Sequence, residues 1–149
     1  MRGQAKILLV EDNDGDVLLI KEALLEARID CELEIAKDGS EAIRILKELS
    51  HDKIMPLPDL ILLDINLPKQ NGHEVLASIK KNPALKKIPV IVLSTSSYDS
   101  DIEKAYELHA NCYIVKPLEV NSFLIMVNSL KAFWFSTVKL PKQMYYEEG

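Results

Sequence analysis

Asp59-Leu60-Ile61-Leu62-Leu63-Asp64-Ile65-Asn66-Leu67-Pro68 runs four apolar residues straight into a carboxylate, and a Leu-Pro turn follows at once. A run so apolar and so short reads as a strand covered on both faces, the pattern of a parallel sheet. Asp64 then stands where the strand stops and a loop begins. On its own that position has a plain reading, a carboxylate that closes a strand. The rest of the chain decides whether it is more than that.

Upstream, Lys6-Ile7-Leu8-Leu9-Val10 is a second apolar run, and it ends on Glu11-Asp12. Asp14-Gly15-Asp16 opens a helix whose Val17, Ile20, Leu24 and Ala27 recur at helical spacing. Cys31-Glu32-Leu33-Glu34-Ile35 alternates instead, as an edge strand does when outward charges discourage further pairing. Asp38-Gly39-Ser40-Glu41 has cap chemistry, and Ala42, Ile45, Leu46 and Leu49 form the next inner stripe. A polar, proline-bearing connection from Ser50 to Pro58 leads to the central strand.

Downstream, Lys69-Gln70-Asn71-Gly72 is a turn, and a helix carries Val75, Leu76 and Ile79 until Asn82-Pro83 stops it. Val90-Ile91-Val92-Leu93 is another buried-type strand, ending on Ser94-Thr95-Ser96. A helix from near Asp99 or Ser100 buries Ile102, Ala105 and Leu108. Tyr113-Ile114-Val115 ends on Lys116-Pro117, and the last helix runs from about Glu119 to the mid-130s. Strand and helix alternate throughout with no internal repeat, which predicts an α/β domain with a parallel sheet and helices on both faces. Right-handed crossovers and an edge second strand favour the strand order 2-1-3-4-5.

The bulk properties agree. The 149 residues suit one domain, and 48% hydrophobic with 28% charged residues is ordinary for a soluble chain. A net charge of −5 argues against direct nucleic-acid binding. No apolar run approaches the ~18–20 residues of a membrane span, and a signal peptide's apolar core is missing, so a cytoplasmic location is expected. Cys31 and Cys112 lack metal-ligand spacing and are expected to be reduced, buried thiols.

The residue ending each buried strand carries the chemistry. Glu11 and Asp12 follow the first, Asp64 the third, Ser94 the fourth and Lys116 the fifth. In an open parallel sheet these ends share one edge, and the crevice at the topological switch point is the ligand site. Separately each has a plain reading: a helix cap, a loop serine, a turn lysine. Together they crowd three carboxylates, and like charges about 4 Å apart repel by ~4 kcal/mol at an effective dielectric of 20. A divalent cation relieves that crowding. Mg²⁺ takes oxygen ligands and is typically held by one or two carboxylates plus phosphate oxygens. Lys116 adds a positive charge and Ser94 a hydroxyl donor. The set suits a phosphoryl group arriving on a carboxylate as an acyl phosphate, with Asp64 the central candidate.

These motifs resemble the receiver domain of two-component response regulators. The residues carrying the resemblance are Ile7-Leu8-Leu9-Val10-Glu11-Asp12, Asp64 with Leu67-Pro68 and Gly72, Pro89 to Ser94, and Tyr113-Ile114-Val115-Lys116-Pro117. It covers about residues 5–135 and implies a CheY-like, flavodoxin-like (βα)5 doubly wound fold. It further implies that Asp64 is the phosphoacceptor for a sensor histidine kinase. Asp12 and Asp64 would ligate Mg²⁺, with Asn66 giving its backbone carbonyl and Glu11 acting mainly through a metal-bound water. Lys116 would pair with phosphoryl oxygens. Ser94 would move to one of them, and Tyr113 would swing inward from an exposed rotamer. That would reshape the face of the fourth helix, fifth strand and fifth helix. Reversing such a switch from 1:99 to 99:1 needs ~5.5 kcal/mol of differential stabilisation.

Some positions depart from the family pattern. Glu11 stands where Asp is frequent, Ser94 where Thr is commoner, and Thr95 where a small residue is usual. His109-Ala110 replaces a glycine, and His tolerates a left-handed backbone better than most residues. His51, His73 and His109 are read as structural or solvated. The segment Leu108 to Tyr113, the long connection before Pro58 and the Phe133-Trp134-Phe135…Leu140-Pro141 ending are similar to small regulators paired with phytochrome-type or multi-sensor kinases.

Val120, Phe123, Leu124, Val127 and Leu130 make an inward stripe on the last helix, while Ile125, Met126, Phe133, Trp134 and Phe135 extend the apolar surface around it. Such a surplus patch marks an interaction site. A homodimer through Phe133, Trp134 and Phe135 is expected, the alternative being a tail that folds back over the patch. Residues 1–137 are read as the receiver domain and 138–149 as an extension without an output domain. The expected function is a phosphorylation-controlled switch that catalyses only its own phosphotransfer and autodephosphorylation, and signals by protein contact or onward phosphotransfer. Two rival readings fit the residues less well. A phosphohydrolase would need a second acid where Asn66 stands. A phosphate-silent scaffold would not need Glu11, Asp12, Asp64, Ser94 and Lys116 all at once.

Overall fold

Leu60–Leu63, every residue of it buried, forms the central strand β3 of a five-stranded parallel sheet. The computed structural model describes residues 4–52, 54–68 and 70–135. In chain order these form β1 (Ala5–Val10), α1 (Asp14–Glu26), β2 (Cys31–Ala36), α2 (Gly39–His51), β3, α3 (Gly72–Lys81), β4 (Val90–Ser94), α4 (Asp99–Glu107), β5 (Cys112–Val115) and α5 (Val120–Leu130), closed by a π-helical turn, Lys131–Phe135. The sheet order is β2-β1-β3-β4-β5 with every pairing parallel, as expected.

Continuous apolar strands arise because the sheet has two dry faces. Leu8, Val10, Ile61, Leu63, Val90 and Val92 point into a core shared with α2 and α3. Their neighbours Ile7, Leu9, Leu60, Leu62, Ile91 and Leu93 point the other way, against α1 and α5. The period of two thus feeds alternate side chains to opposite cores. β2 pairs only with β1, so its alternating charges face solvent. None of the described helices is long and apolar enough to cross a membrane.

The helix starts are set by local polar chemistry. The side chains of Asn13, Asp38 and Asn71 accept backbone N–H bonds from Asp16, Glu41 and Glu74, and Asn71 with Glu74 completes a capping box. The first and fourth helices end on left-handed residues that are not glycine: Arg28 at φ 57° and His109 at φ 73°. Each is followed by a bond typical of a Schellman ending, Ile29 N–H to Leu24 O and Ala110 N–H to Ala105 O. His109 therefore plays the part expected of it, and Arg28 is a second case that its sequence context did not announce.

Four expectations change. Val120 is 64% exposed and lines a shallow cleft beside Leu19 and Glu22 of α1, so the inner stripe begins one turn later with Phe123, Val127 and Leu130. On α4 only Ala105 is fully buried, with Ile102 and Leu108 half-covered, because this helix packs mainly against the edge strand β5. Leu49 is likewise half-buried at the end of α2. Cys31 and Cys112 are free thiols, half-buried rather than buried, because β2 and β5 are the two edges of the sheet. Burial raises the pKa of both thiols, most for want of solvent around the thiolate.

Phe133 is 53% exposed and meets Trp134 edge-on, ring centroids 5.7 Å apart. Trp134 itself packs on the α1–α5 core. The side chain of Phe135, the boundary near residue 137 and the tail from 138 lie outside the described residues.

Candidate functional site

Parallel pairing brings the carboxyl ends of β1, β3, β4 and β5 to one edge. Val10 lies opposite both Ala36 and Leu63, and Ser94 lies opposite Val115. The backbone continues this order for one residue past the strands. Glu11 N–H donates to Ala36 O at 2.9 Å, Asp64 N–H to Val10 O at 3.0 Å, and Lys116 N–H to Ser94 O at 2.7 Å. The residues expected at the strand ends are therefore locked at equal height.

Glu11, Asp64, Ser94 and Lys116 are buried, while Asp12 stands exposed at the mouth. One carboxylate oxygen each from Glu11, Asp12 and Asp64 lie within 4.8 Å of one another. Lys116 Nζ answers this charge. It donates to Glu11, to Asp64 Oδ2 at 3.1 Å and to Asp16 Oδ2 at 2.9 Å. Asp64 Oδ1 accepts from Asn66 N–H at 2.9 Å, so both oxygens of Asp64 are held. Asp16 is the member that the sequence did not single out. Its signal was the helix start, since the first turn of α1 faces the same edge as the strand end that feeds it.

The electrostatics follow from crowding. Burial, reinforced by the charge of Asp64, pushes Glu11 up to about 7, against the opposing pull of its Lys116 bond. Burial also works against the charged form of Lys116. The bonds to Glu11 and Asp16 and the charges of Asp64 and Glu11 outweigh it, so the lysine is held above its ordinary range and stays cationic. Three hard oxygen donors and one cation leave the cluster net negative. That donor set fits Mg²⁺ or Mn²⁺, which bind oxygen and would lower the Glu11 pKa again.

Ser94 Oγ accepts from Ser96 N–H at 3.2 Å and from the Asn66 side chain at 3.3 Å. With those bonds received, the hydroxyl's own hydrogen serves the Tyr113 phenol, a contact that opposes the rise burial imposes on the Tyr113 pKa. The Tyr113 ring is half-buried and its hydroxyl donates to Ser96 O at 2.8 Å, so the ring is turned inward toward the Ser94–Ser96 loop. The reason is local: Ser96 Oγ donates to Asp101 at 2.5 Å, which holds the loop so that its carbonyl meets the tyrosine. His73, on the buried face of α3, contacts the Asp101 carbonyl through Nε2 at 3.2 Å, in keeping with a structural role. Gly72 is where a side chain is excluded, because a Cβ there would run into Ile65 and the Asp64 carbonyl. The loop carrying Asp64 closes directly on that glycine, through Gly72 N–H to Ile65 O at 3.0 Å.

Known proteins share this architecture and much of the sequence. The family described as the response regulator receiver domain matches residues 7–128. The response regulator Rcp1 of Synechocystis is 48% identical over 135 residues, which is 91% of this chain and 92% of that protein. Among solved structures, the phosphorylated cyanobacterial phytochrome response regulator RcpA superposes with a TM-score of 0.87 at 46% identity, covering 94% of this chain and 100% of that one. The Mn²⁺-bound form of Rcp1 gives a TM-score of 0.84 at 47% identity, covering 93% and 99%. With the sheet order, the acid cluster and the strand-end lysine already in place, this likeness is one of family: the chain belongs to the response regulator receiver domains, proteins of two-component signalling.

Proposed function

We propose that Asp64 accepts a phosphoryl group from a sensor histidine kinase with Mg²⁺ bound at the site, and that the protein signals through the resulting change of surface. The observation that carries this reading is the contact of one buried carboxylate, Asp64, with a buried cationic lysine beside two further acids. A carboxylate so placed is a nucleophile whose product, an acyl phosphate, finds a cation and hydrogen-bond donors already aimed at it.

Each residue has a task. Glu11, Asp12, Asp64 and the Asn66 backbone carbonyl would hold Mg²⁺, with Glu11 reaching it mainly through water. When bound, the ion would neutralise phosphoryl oxygens during transfer. Lys116 offers hydrogens to the same oxygens. Ser94 turns its hydrogen from Tyr113 to a phosphoryl oxygen and draws Ser96 N–H along with it. Tyr113, bonded to the Ser96 carbonyl, transmits that loop movement to the α4-β5-α5 face, where Tyr106, Val115 and Leu118 are exposed. The protein thus catalyses its own phosphotransfer and autodephosphorylation and turns over no external substrate. Its message passes by protein contact or by onward phosphotransfer.

The likeness to Rcp1 and RcpA supports a phytochrome-like or multi-sensor kinase as the donor, acting in the cytoplasm. The half-exposed Phe133 beside Trp134 supports a homodimer through the end of α5 and the residues that follow, Phe135 included.

Incubation with acetyl phosphate and Mg²⁺ tests the central claim. The parent is expected to gain one phosphoryl mass, acid-stable and base-labile, and Asp64→Asn to gain none. An unmodified parent, or equal labelling of both, refutes it. For the dimer, light scattering of the parent beside Phe133→Glu is expected to show a halved mass in the variant. A monomeric parent rules the dimer out.

A further inference from the structure

The third partner of Lys116 has a consequence for the phosphorylated state. An ammonium group has three hydrogens, and Lys116 directs its Nζ to three carboxylates: Glu11, Asp16 Oδ2 at 2.9 Å and Asp64 Oδ2 at 3.1 Å. Phosphorylation makes one Asp64 oxygen the ester oxygen, so the hydrogen that Lys116 gives Asp64 can pass to one phosphoryl oxygen. A second phosphoryl oxygen needs another hydrogen, so Glu11 or Asp16 must let go. The Glu11 side chain is 2% exposed, and stranding its charge would be costly. The Asp16 side chain is 27% exposed and can trade the ammonium for water.

We propose that Asp16 is the exchangeable resting counter-ion of Lys116, a positioning residue that occupies the hydrogen later taken by the phosphoryl oxygen. The inference rests on the reading of Asp64 as phosphoacceptor. The fold supplies the placement. Asn13 caps α1 through the N–H of Asp16, which fixes the first turn and presents that side chain to the lysine. Asp14, in the same turn, pairs with Lys37 of the neighbouring loop instead. Asp16 therefore competes with the phosphoryl group for Lys116 and adds a like charge beside it. Its removal favours the phosphorylated state.

Beryllofluoride, a phosphoryl mimic that binds the acceptor carboxylate without a transfer step, tests this on the full chain. Mg²⁺ affinity is titrated first for each protein so that all are compared at saturation. Asp16→Asn is expected to bind the mimic about tenfold more tightly than the parent, the scale of one charge-assisted hydrogen bond. It should likewise reach a higher steady-state level with acetyl phosphate, whose phosphorus–oxygen bond to acetate breaks as the bond to Asp64 forms. Asp14→Asn removes the same charge from the same turn without touching Lys116, and its affinity is expected to match the parent. A purely structural role for Asp16 would weaken binding on substitution, the opposite sign. Should Asp16→Asn fail to give a cooperative melt, Asp16→Ser serves in its place, since serine suits a first helical turn. A parent that binds no beryllofluoride removes the phosphoacceptor reading and this inference with it. A parent that binds, beside an Asp16 variant that binds no tighter or an Asp14→Asn that gains equally, removes this inference alone.

Discussion

Two lysines stand at opposite edges of one sheet, and each directs its ammonium to three oxygens. Lys80, at the end of α3, donates to the carbonyls of Lys86 and Ile88 at 3.2 and 3.0 Å and to the Asn111 side chain at 3.2 Å. All three acceptors are neutral, burial dominates, and its pKa is lowered. Lys116 is more buried, yet its three acceptors are carboxylates and its pKa is raised. Burial acts in the same direction on both, so the charge of the partners decides the outcome. Lys80 braces the loops that enter β4 and β5. Lys116 holds positive charge among the acids at the carboxyl edge. The difference separates a lysine that holds the fold from one that serves the site.

The strongest way to break this contrast is to remove Lys116. Lys116→Met leaves Glu11 and Asp64 as buried neighbours without their cation, and is expected to cost about 3 kcal/mol of stability when no divalent ion is present. Urea denaturation in a chelator, repeated with Mg²⁺, measures the loss and should show much of it recovered by the ion. Labelling by acetyl phosphate should fall away as well. Lys80→Met is expected to cost only about 1 kcal/mol, since it removes hydrogen bonds to neutral and partly solvated acceptors. Its labelling should equal the parent's. If the two variants cost the same, partner charge is not what distinguishes the edges. Tyr113→Phe should be smallest, at about 0.5 kcal/mol, because it gives up one bond to the Ser96 carbonyl at the functional edge. Hydrogen exchange should quicken at Ser96 to Asp101 while labelling persists, which places Tyr113 downstream of the chemistry.

The two edges also differ in how far their residues could be read in advance. At the carboxyl edge, Glu11, Asp12, Asp64 and Lys116 lie within two residues past a strand and Ser94 closes β4, so locating the strands located the cluster. At the other edge, Lys6 is buried with its Nζ on the Pro56 carbonyl at 3.1 Å, and its N–H donates to Asp59 at 2.8 Å. Neither that arrangement nor the Lys80 brace has a pattern in the chain. They depend on which loop carbonyls lie within reach, and loops carry no periodicity. Tyr113 shows the same limit. Its position on β5 was legible, but its inward ring depends on a Ser96 carbonyl turned toward it by the Ser96–Asp101 bond.

By itself the sequence determined the order of elements, the parallel sheet and the residues at its carboxyl edge. Those follow from hydrophobic period and from strand ends, which are properties of short segments. Only the tertiary structure decided which partners those residues have. That Asp16 joins Lys116 while Asp14 turns to Lys37 depends on the rotation of the first turn of α1 against β5. That Val120 stays exposed while Phe123 is buried depends on where α5 meets α1. Both are matters of distance between elements far apart in the chain, and no local period encodes them. Asp64 could be found from its strand. The company it keeps is assembled by the packing of the sheet and helices around it.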